Sequence, residues 1–327
     1  MRSIDLIAPA KVNLYLGIRQ KREDGYHDVT TIMHALSMHD KLHMTLLGAN
    51  ERTTLFEPCD AAQPLRQFEA SVEPGSGLVV SSHMIWFEGI PPIEVPDNKN
   101  LACRAIHTLA QAIDRHEDEF IRIVIEKHIP HQTGLGGGSA DAAAALLGAA
   151  DLWGIAHDDP ILAATAKDLG ADVCFFLHGG CIALQERGDE LHSILEPRHD
   201  SLVIVRPDDG ISTSEAYQTF DNDPLFPSDN ELKTVLSCNK ASDVPLYNNL
   251  EPTAKKLLPE VEQIESFVES IDGVVGSLLC GSGSGVLALC DDFKTAQYLA
   301  SAAQLEGWWA RTTSFSAIRA AKLPEKK

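Results

Sequence analysis

The chain has 327 residues, 44% of them hydrophobic and 23% charged, and its 27 basic against 47 acidic side chains leave a formal net charge of −20. That acidity argues against a nucleic-acid surface, the length allows two domains, and no apolar run is long enough to span a membrane. Seven cysteines, at positions 59, 103, 174, 181, 238, 280 and 290 without a CxxC pair, and 13 histidines without a ligand cluster point to reduced, buried thiols rather than disulfides or zinc.

The start, MRSIDLIAPAKVNL, lacks an apolar core bounded by a small-residue cleavage site, so a cytoplasmic location is expected. Alternation through Leu14, Leu16 and Ile18, a polar turn KREDGYHD and a resumed VTTIMHAL predict a strand pair. Residues 48–98 carry scattered prolines and little periodicity outside LVVSSHMIWF; part of this segment reads as an elaborated loop, and residues 48–80 as peripheral to any site. Asn100 is the expected cap of a helix LACRAIHTLAQAIDRH, and IRIVIEK, with Ile121, Ile123 and Ile125 on one face, reads as a strand. Ser139 is the expected N-cap of a helix over 142–150. Then follow a helix from Pro160 to Leu169, the string GADVCFF, and strands in GGCIALQERGDELHSI. The second half opens with the apolar run LVIVRP. It continues with helices around EAYQTF and LEPTAKKLLPEVEQIESFVESI, the strand VLALC, a helix near FKTAQYLASAAQ and a last strand around WWARTTSF. Because the strands come in hairpin pairs, the pattern favours α+β over a doubly wound sheet.

The richest stretch for chemistry is IPHQTGLGGGSADAAAALLGAA, residues 129–150. Glycines let backbone N–H groups approach a ligand, and the first turn of a helix leaves its N–H groups unpaired, so an anion, above all a phosphate, is the expected guest. A tight turn or a close helix crossing is the bland alternative. A Walker A loop fails, because Gly138 is followed by Ser139-Ala140-Asp141 instead of Lys and Ser or Thr. A dinucleotide fingerprint fails less cleanly: Ser139 stands where the last glycine belongs, and the candidate acids Asp158 and Asp159 precede Pro160. An anionic ligand must also be held by local donors against an unfavourable global field.

PAKVNLYLGI, GLGGGSADAAAAL, GADVCFF and CGSGSGVLAL, in this order, resemble the galactose, homoserine, mevalonate and phosphomevalonate (GHMP) kinase family. The likeness covers nearly the whole chain apart from much of residues 48–98. DGYHD, KNLACRA and ISTSEAY narrow it to the branch whose acceptor is the cytidine diphosphate derivative of methylerythritol. The resemblance implies a two-domain α+β fold. Residues 1–195 would form an ATP-binding domain built like a ribosomal-protein domain, and residues 196–327 a ferredoxin-like domain, with the small-molecule substrate between them. It implies transfer of the ATP γ-phosphoryl group to the 2-hydroxyl of that substrate, with Mg²⁺, in isoprenoid precursor synthesis. It leaves a monomer or a homodimer open.

Carried over residue by residue, the resemblance assigns the triphosphate cradle to Gly134, Leu135, Gly136, Gly137, Gly138, Ser139, Ala140 and Asp141, with Lys99 and Asn100 near the adenosine. Asp172 matches the catalytic aspartate, a proton acceptor for the hydroxyl, and Lys11 the active-site lysine that holds Asp172 ionised and steadies γ-phosphate charge. Tyr26 and Tyr217 match aromatics that stack on the cytosine and His27 the reader of its edge, with Asn13 and Thr213 as further polar contacts. The bland alternatives are a helix-capping aspartate, a solvated strand lysine and core-packed tyrosines. Cys174 departs from the usual proline, His131-Gln132-Thr133 from a small-residue pair, and Asp189 from the common Glu; Asp141 stands where the family accepts Asn or Asp and could meet Mg²⁺, ribose or backbone. A mevalonate or homoserine kinase and a non-catalytic nucleotide-binding module are the competing readings. The first lacks a base for DGYH and Tyr217 to meet, and the second has no need of Asp172 and Lys11 together.

Overall fold

The structure, a computed structural model, describes residues 1–58, 65–87 and 89–324. In chain order the first half holds β1 (Arg2–Lys21), β2 (His27–Leu47), β3 (Arg52–Glu57), β4 (Arg66–Ser71), β5 (Leu78–Trp86), α1 (Leu101–Ala112), β6 (Glu119–Lys127), α2 (Gly137–Trp153), α3 (Pro160–Leu169), α4 (Ala171–His178), β7 (Cys181–Gln185) and β8 (Glu190–Ile194). The second holds β9 (Ser201–Arg206), α5 (Thr213–Phe220), α6 (Asp229–Leu236), β10 (Tyr247–Asn248), α7 (Glu251–Leu257), α8 (Glu260–Glu269), β11 (Val274–Leu279), β12 (Val286–Cys290), α9 (Phe293–Leu305), β13 (Trp309–Ser314) and β14 (Ala321–Lys322).

Eight strands form one sheet, in the order β10-β1-β2-β6-β5 with β14 added on β1, β7 on β2 and β8 on β7. Four form a second, antiparallel sheet, β11-β12-β9-β13, and β3-β4 stands apart as a hairpin. The layers follow from the side-chain pattern. Helix α2 is apolar all round, with buried residues from Ala140 to Leu152, because it is packed among β1, β2 and helices α1, α3 and α4. A second core, containing Val12, Leu14, Ile204 and Leu289, links the two sheets, and a third lies under α8 and α9 with Val203, Val205, Ile264 and Leu299. The fold is therefore α+β, as the paired strands predict. Strands β10 and β14 lie in the second half yet pair with β1, so the larger sheet draws on both halves of the sequence.

LVVSSHMIW, the one periodic run of residues 48–98, is a strand: β5 runs parallel to β6 at the sheet edge, with a partner some forty residues on that local pattern does not reveal. Three local expectations change. Ser139 does not cap α2; the helix starts at Gly137, and Gly136, with φ 73° and no side chain, is its N-cap. The long helical segment after Leu250 is two helices, α7 and α8, parted at Leu258 and Pro259, as a residue before proline resists helical geometry. VVGSLL and DNELKTVL form β11 and α6, neither of which was expected; α6 starts on a capping box between Ser228 and Glu231. Part of the expectation for residues 48–98 falls on 59–64 and 88, outside the described residues. Among those described, no helix is long and apolar enough to cross a membrane.

The β3–β4 hairpin is joined to the sheet by a buried ion pair. Glu57, 2% exposed, accepts from Arg122 Nε at 2.6 Å and Nη2 at 2.9 Å and from Arg66 Nη2 at 3.1 Å. Burial alone would raise its carboxyl, but the two guanidinium groups outweigh burial and hold it below the usual range. Replacing Glu57 by Ala strands the Arg122 cation, 5% exposed, in an apolar setting over the Phe68 ring. The expected cost is about 3 kcal/mol, at the low end for a broken buried pair because Arg66 is partly solvated. Chemical denaturation checks this, with turnover expected to survive in the folded fraction; an unchanged unfolding midpoint would refute it.

Candidate active site

Two glycines set the geometry of the loop before α2. Gly134 has φ 73°, and a Cβ there would lie 1.7 Å from the Cys280 carbonyl oxygen. At Gly136, also φ 73°, a Cβ would lie 2.8 Å from the Phe176 ring. Both conditions exclude other residues. The first helical bond runs from Ala140 N–H to Gly136 O at 2.9 Å. The N–H groups of Gly137, Gly138 and Ser139 at the start of α2 therefore remain free of helical partners and face a cleft of about 1040 Å³. Such an array of unpaired backbone N–H groups suits an anion. Ala140 is an exception to the expected set: its N–H is taken by Gly136 and its side chain is fully buried away from the cleft. Leu135 also turns its side chain into the core, offering only backbone.

Across the cradle, β1 delivers Lys11 and Asn13. Register shifts between Pro9 and Lys11 and between Asn13 and Tyr15 interrupt the alternation of this long strand, and such bulges re-aim side chains. Lys11 N–H bonds Leu135 O at 3.0 Å, tying the strand to the loop. Its Nζ donates to Asn13 Oδ1 at 2.7 Å, and Asn13 Nδ2 donates to Thr31 Oγ1 at 2.8 Å. Asn13 therefore orients the lysine, a role that its expected part in substrate contact did not include. Asp172 lies in the first turn of α4, entered through Gly170, and its carboxylate stands 3.9 Å from Lys11 Nζ with 36% of the side chain exposed. Lys11 itself is 4% exposed. A buried ammonium beside a carboxylate that opens to the cleft is an arrangement suited to proton acceptance and anion stabilisation.

One end of the cleft is aromatic. Thr213, Tyr217 and Asp221 follow one another at helical spacing along α5 and its C-cap. Tyr217 lies 5.2 Å from the His27 ring, and burial, then the charge of Asp172, keeps its hydroxyl protonated. His27 is 7% exposed, and its Nε2 lies 2.6 Å from Asp221 Oδ1. Tyr26 is 57% exposed, with the Arg187 guanidinium 5.0 Å from its ring centre. Thr213 Oγ1 meets Ser282 Oγ at 3.0 Å.

The opposite end is an apolar slot lined by Met84, Trp86, Ile93, Val95 and Leu101, with Lys99 and Asn100 beside it. The Asn100 side chain is already engaged, capping α1 through Ala102 N–H at 2.9 Å and donating to Ser82 Oγ at 3.2 Å. Sequence reasoning missed this wall, because neither LVVSSHMIWF nor the proline-bearing stretch after it carries a motif that points to a ligand. It also missed Gly281, Ser282 and Gly283, which line the cleft from the β11–β12 turn; the repeated glycines of CGSGSG were the available signal. Apart from Ala140, every residue expected at the site lines this one cleft.

Residues 100–180 match the family model for the GHMP kinases N terminal domain. The chain is 32% identical over 302 residues to the 4-diphosphocytidyl-2-C-methyl-D-erythritol kinase of Desulfitobacterium hafniense, covering 91% of each chain. It is 33% identical over 303 residues to the enzyme of the same name from Pelotomaculum thermopropionicum, covering 91% of this chain and 93% of that one. A solved structure of 4-(cytidine 5'-diphospho)-2C-methyl-D-erythritol kinase superposes with a TM-score of 0.70 at 29% identity, over 96% of this chain and 99% of the other.

Beneath the cradle lies a buried triad. Lys127 donates to Asp141 Oδ2 at 2.6 Å and to Asp40 Oδ2, while Asp40 Oδ1 accepts the Ile129 N–H at 2.8 Å. Burial first, with the charge of Asp40, pushes the Asp141 carboxyl up to about 7 against the pull of Lys127. An unfolded Asp titrates near 4. Between about pH 4 and 7 the folded chain thus holds a proton that the unfolded chain has lost, and stability falls as pH rises through that window. Asp141→Asn removes this linkage. Its melting temperature relative to the parent is expected to climb from pH 4 to pH 7 in calorimetry; parallel curves would mean that Asp141 is ionised throughout.

Proposed function

This chain belongs to the 4-diphosphocytidyl-2-C-methyl-D-erythritol kinases, within the GHMP kinases, and from that membership we propose that it transfers the γ-phosphoryl group of ATP to the 2-hydroxyl of the cytidylated methylerythritol. The observation that carries this reading is the meeting, in one cleft, of three free backbone donors, the Lys11–Asp172 pair and a Tyr26–His27–Tyr217 cluster. Residues 1–195 supply most of the nucleotide-binding parts, and residues 196–327 bring Thr213 and Tyr217 over the acceptor.

In this mechanism the N–H groups of Gly137, Gly138 and Ser139 hold phosphate oxygens, and the apolar slot at Trp86 takes the adenine, with Lys99 at its rim. Asp172 accepts the proton of the 2-hydroxyl as its oxygen bonds to the γ-phosphorus and the bond to the bridging oxygen of ADP breaks. Lys11, steadied by Asn13, neutralises charge on the transferring group. Tyr26 and Tyr217 face the pyrimidine, and His27 reads its edge. The Ser139 hydroxyl beside the cradle is a hard oxygen donor, and among the described residues no group of three or more His, Cys, Asp or Glu side chains could hold a metal by itself. That lining fits a magnesium ion that would be held chiefly through the nucleotide. When bound, such an ion would neutralise phosphate charge. The six described cysteines are free, and burial raises the thiols of Cys103, Cys181 and Cys280 to about 12, in keeping with the reducing cytoplasm we assign.

The direct test is ATP turnover with the cytidylated substrate beside mevalonate and homoserine. Activity is expected with the first alone; comparable rates on either of the others would sink the assignment. Asp172→Asn is expected to keep ATP affinity, measured by calorimetry, while lowering turnover by about two to four orders of magnitude. Near-normal turnover in that variant would remove Asp172 from the mechanism.

A further inference from the structure

His27 does not stand alone in the cleft. It opens β2 and would present a ring with two nitrogens of interchangeable character, one a donor and one an acceptor. Its Nε2 lies 2.6 Å from Asp221 Oδ1, and the other carboxylate oxygen of Asp221 accepts from Lys21 Nζ at 3.0 Å. Asp221 is fixed in turn: it is the C-cap of α5, and its N–H bonds Tyr217 O at 3.0 Å. Burial would raise its carboxyl, but the hydrogen bonds it accepts from His27 and Lys21, with the Lys21 charge, outweigh burial and hold it below the usual range, so it meets the ring as an anion. An ionised carboxylate only accepts hydrogen bonds. The proton of a neutral His27 must therefore sit on Nε2. Nδ1 has no hydrogen-bond partner among the described residues and is not sealed from solvent, in a ring that lines the cleft.

We propose that Asp221 is a positioning residue for base selection: by holding His27 as the Nε2–H tautomer, it leaves Nδ1 as a bare acceptor turned to the pyrimidine edge. The inference rests on the reading of His27 given above. Cytosine presents an exocyclic amine at position 4, which donates to that lone pair. Uracil presents a carbonyl oxygen at the same place, and two acceptors then face each other. The ring cannot adapt by moving its proton to Nδ1, because Nε2 would turn a lone pair onto the Asp221 carboxylate. Selectivity for an aminopyrimidine thus comes from a residue that need not touch the base, in the way that a second partner fixes which nitrogen of a histidine is available.

Asp221→Asn tests this with little change of shape, because an amide can accept from or donate to Nε2 and so tolerates either tautomer. The measurement is kcat/KM for the cytidylated substrate and for its uridine counterpart, with the KM for ATP taken in parallel. The expected result is a fall of about tenfold or more in the preference for cytidine, with the KM for ATP unchanged. In the parent protein, nitrogen-15 histidine spectra should show His27 neutral and protonated on Nε2. An unchanged preference in Asp221→Asn with normal ATP binding overturns the inference, as does a His27 found as the Nδ1–H tautomer or doubly protonated at neutral pH. His27→Ala separates the two levels. If it relaxes the preference while Asp221→Asn does not, only the role of Asp221 falls; if it leaves the preference intact, the assignment of His27 falls with it.

Discussion

Gly134 and the Cys280 carbonyl approach each other too closely for any Cβ to stand between them, and the cleft is organised around that contact. Through it the glycine loop packs backbone to backbone against the turn between β11 and β12. Neighbouring bonds extend the seam: Ser284 N–H reaches Gln132 O at 3.0 Å, and Asn248 Nδ2 holds the Gly281 carbonyl at 2.7 Å. On its other side the loop receives the Lys11 N–H. The loop that offers donors to an anion is therefore gripped between a strand of one sheet and a turn of the other. Its N–H groups point into the cleft before any ligand arrives, which is the condition under which such donors stabilise charge most effectively.

This preorganisation answers the electrostatic difficulty raised by a net charge of −20. A diffuse negative field falls off with screening over roughly 8–10 Å, whereas the free amides at the start of α2 and the buried Lys11 ammonium act at contact distance. The protein also places its cations locally. Buried Lys127 bridges the Asp40 and Asp141 carboxyl groups under the cradle, buried Lys11 faces Asp172, and the more exposed Lys21 and Arg187 stand beside His27 and Tyr26. An anionic ligand meets positive groups only where the chemistry needs them.

Much of this was legible in the residues. The first hairpin, α1 with its Asn100 cap, β6, and the loop between strand and helix follow from alternation, periodicity and glycine content, which are local signals. The misreadings have a common origin in contacts distant along the chain. β5 is set by a parallel neighbour across an intervening helix, so its local pattern named no partner and no site. Ser139 looked like a cap because caps are sought among side chains, whereas here the turn is made by a glycine whose value lies in having none. Tyr26, His27, Lys11 and Asp172 were found through motif resemblance, and the structure brings them to one cleft. The partner that orients His27 is 194 residues away; no spacing rule could have joined Asp221 to it.

The return of β10 and β14 to the edge of β1 also bears on how the molecule is made. Pairing of Tyr15 with Tyr247 and of Leu6 with Lys322 completes the strand that carries Lys11 only when almost the entire chain is available. During synthesis from the N-terminus, β1 and β2 can zip together early, but the outer edge of β1 waits for residues far along the chain, and contacts of such separation form slowly. The nascent chain thus carries an unsatisfied edge on the strand of Lys11 until those residues emerge. The wall of the cleft that Lys11 lines is therefore finished late in folding, and a chain cut short before β14 would leave that edge open.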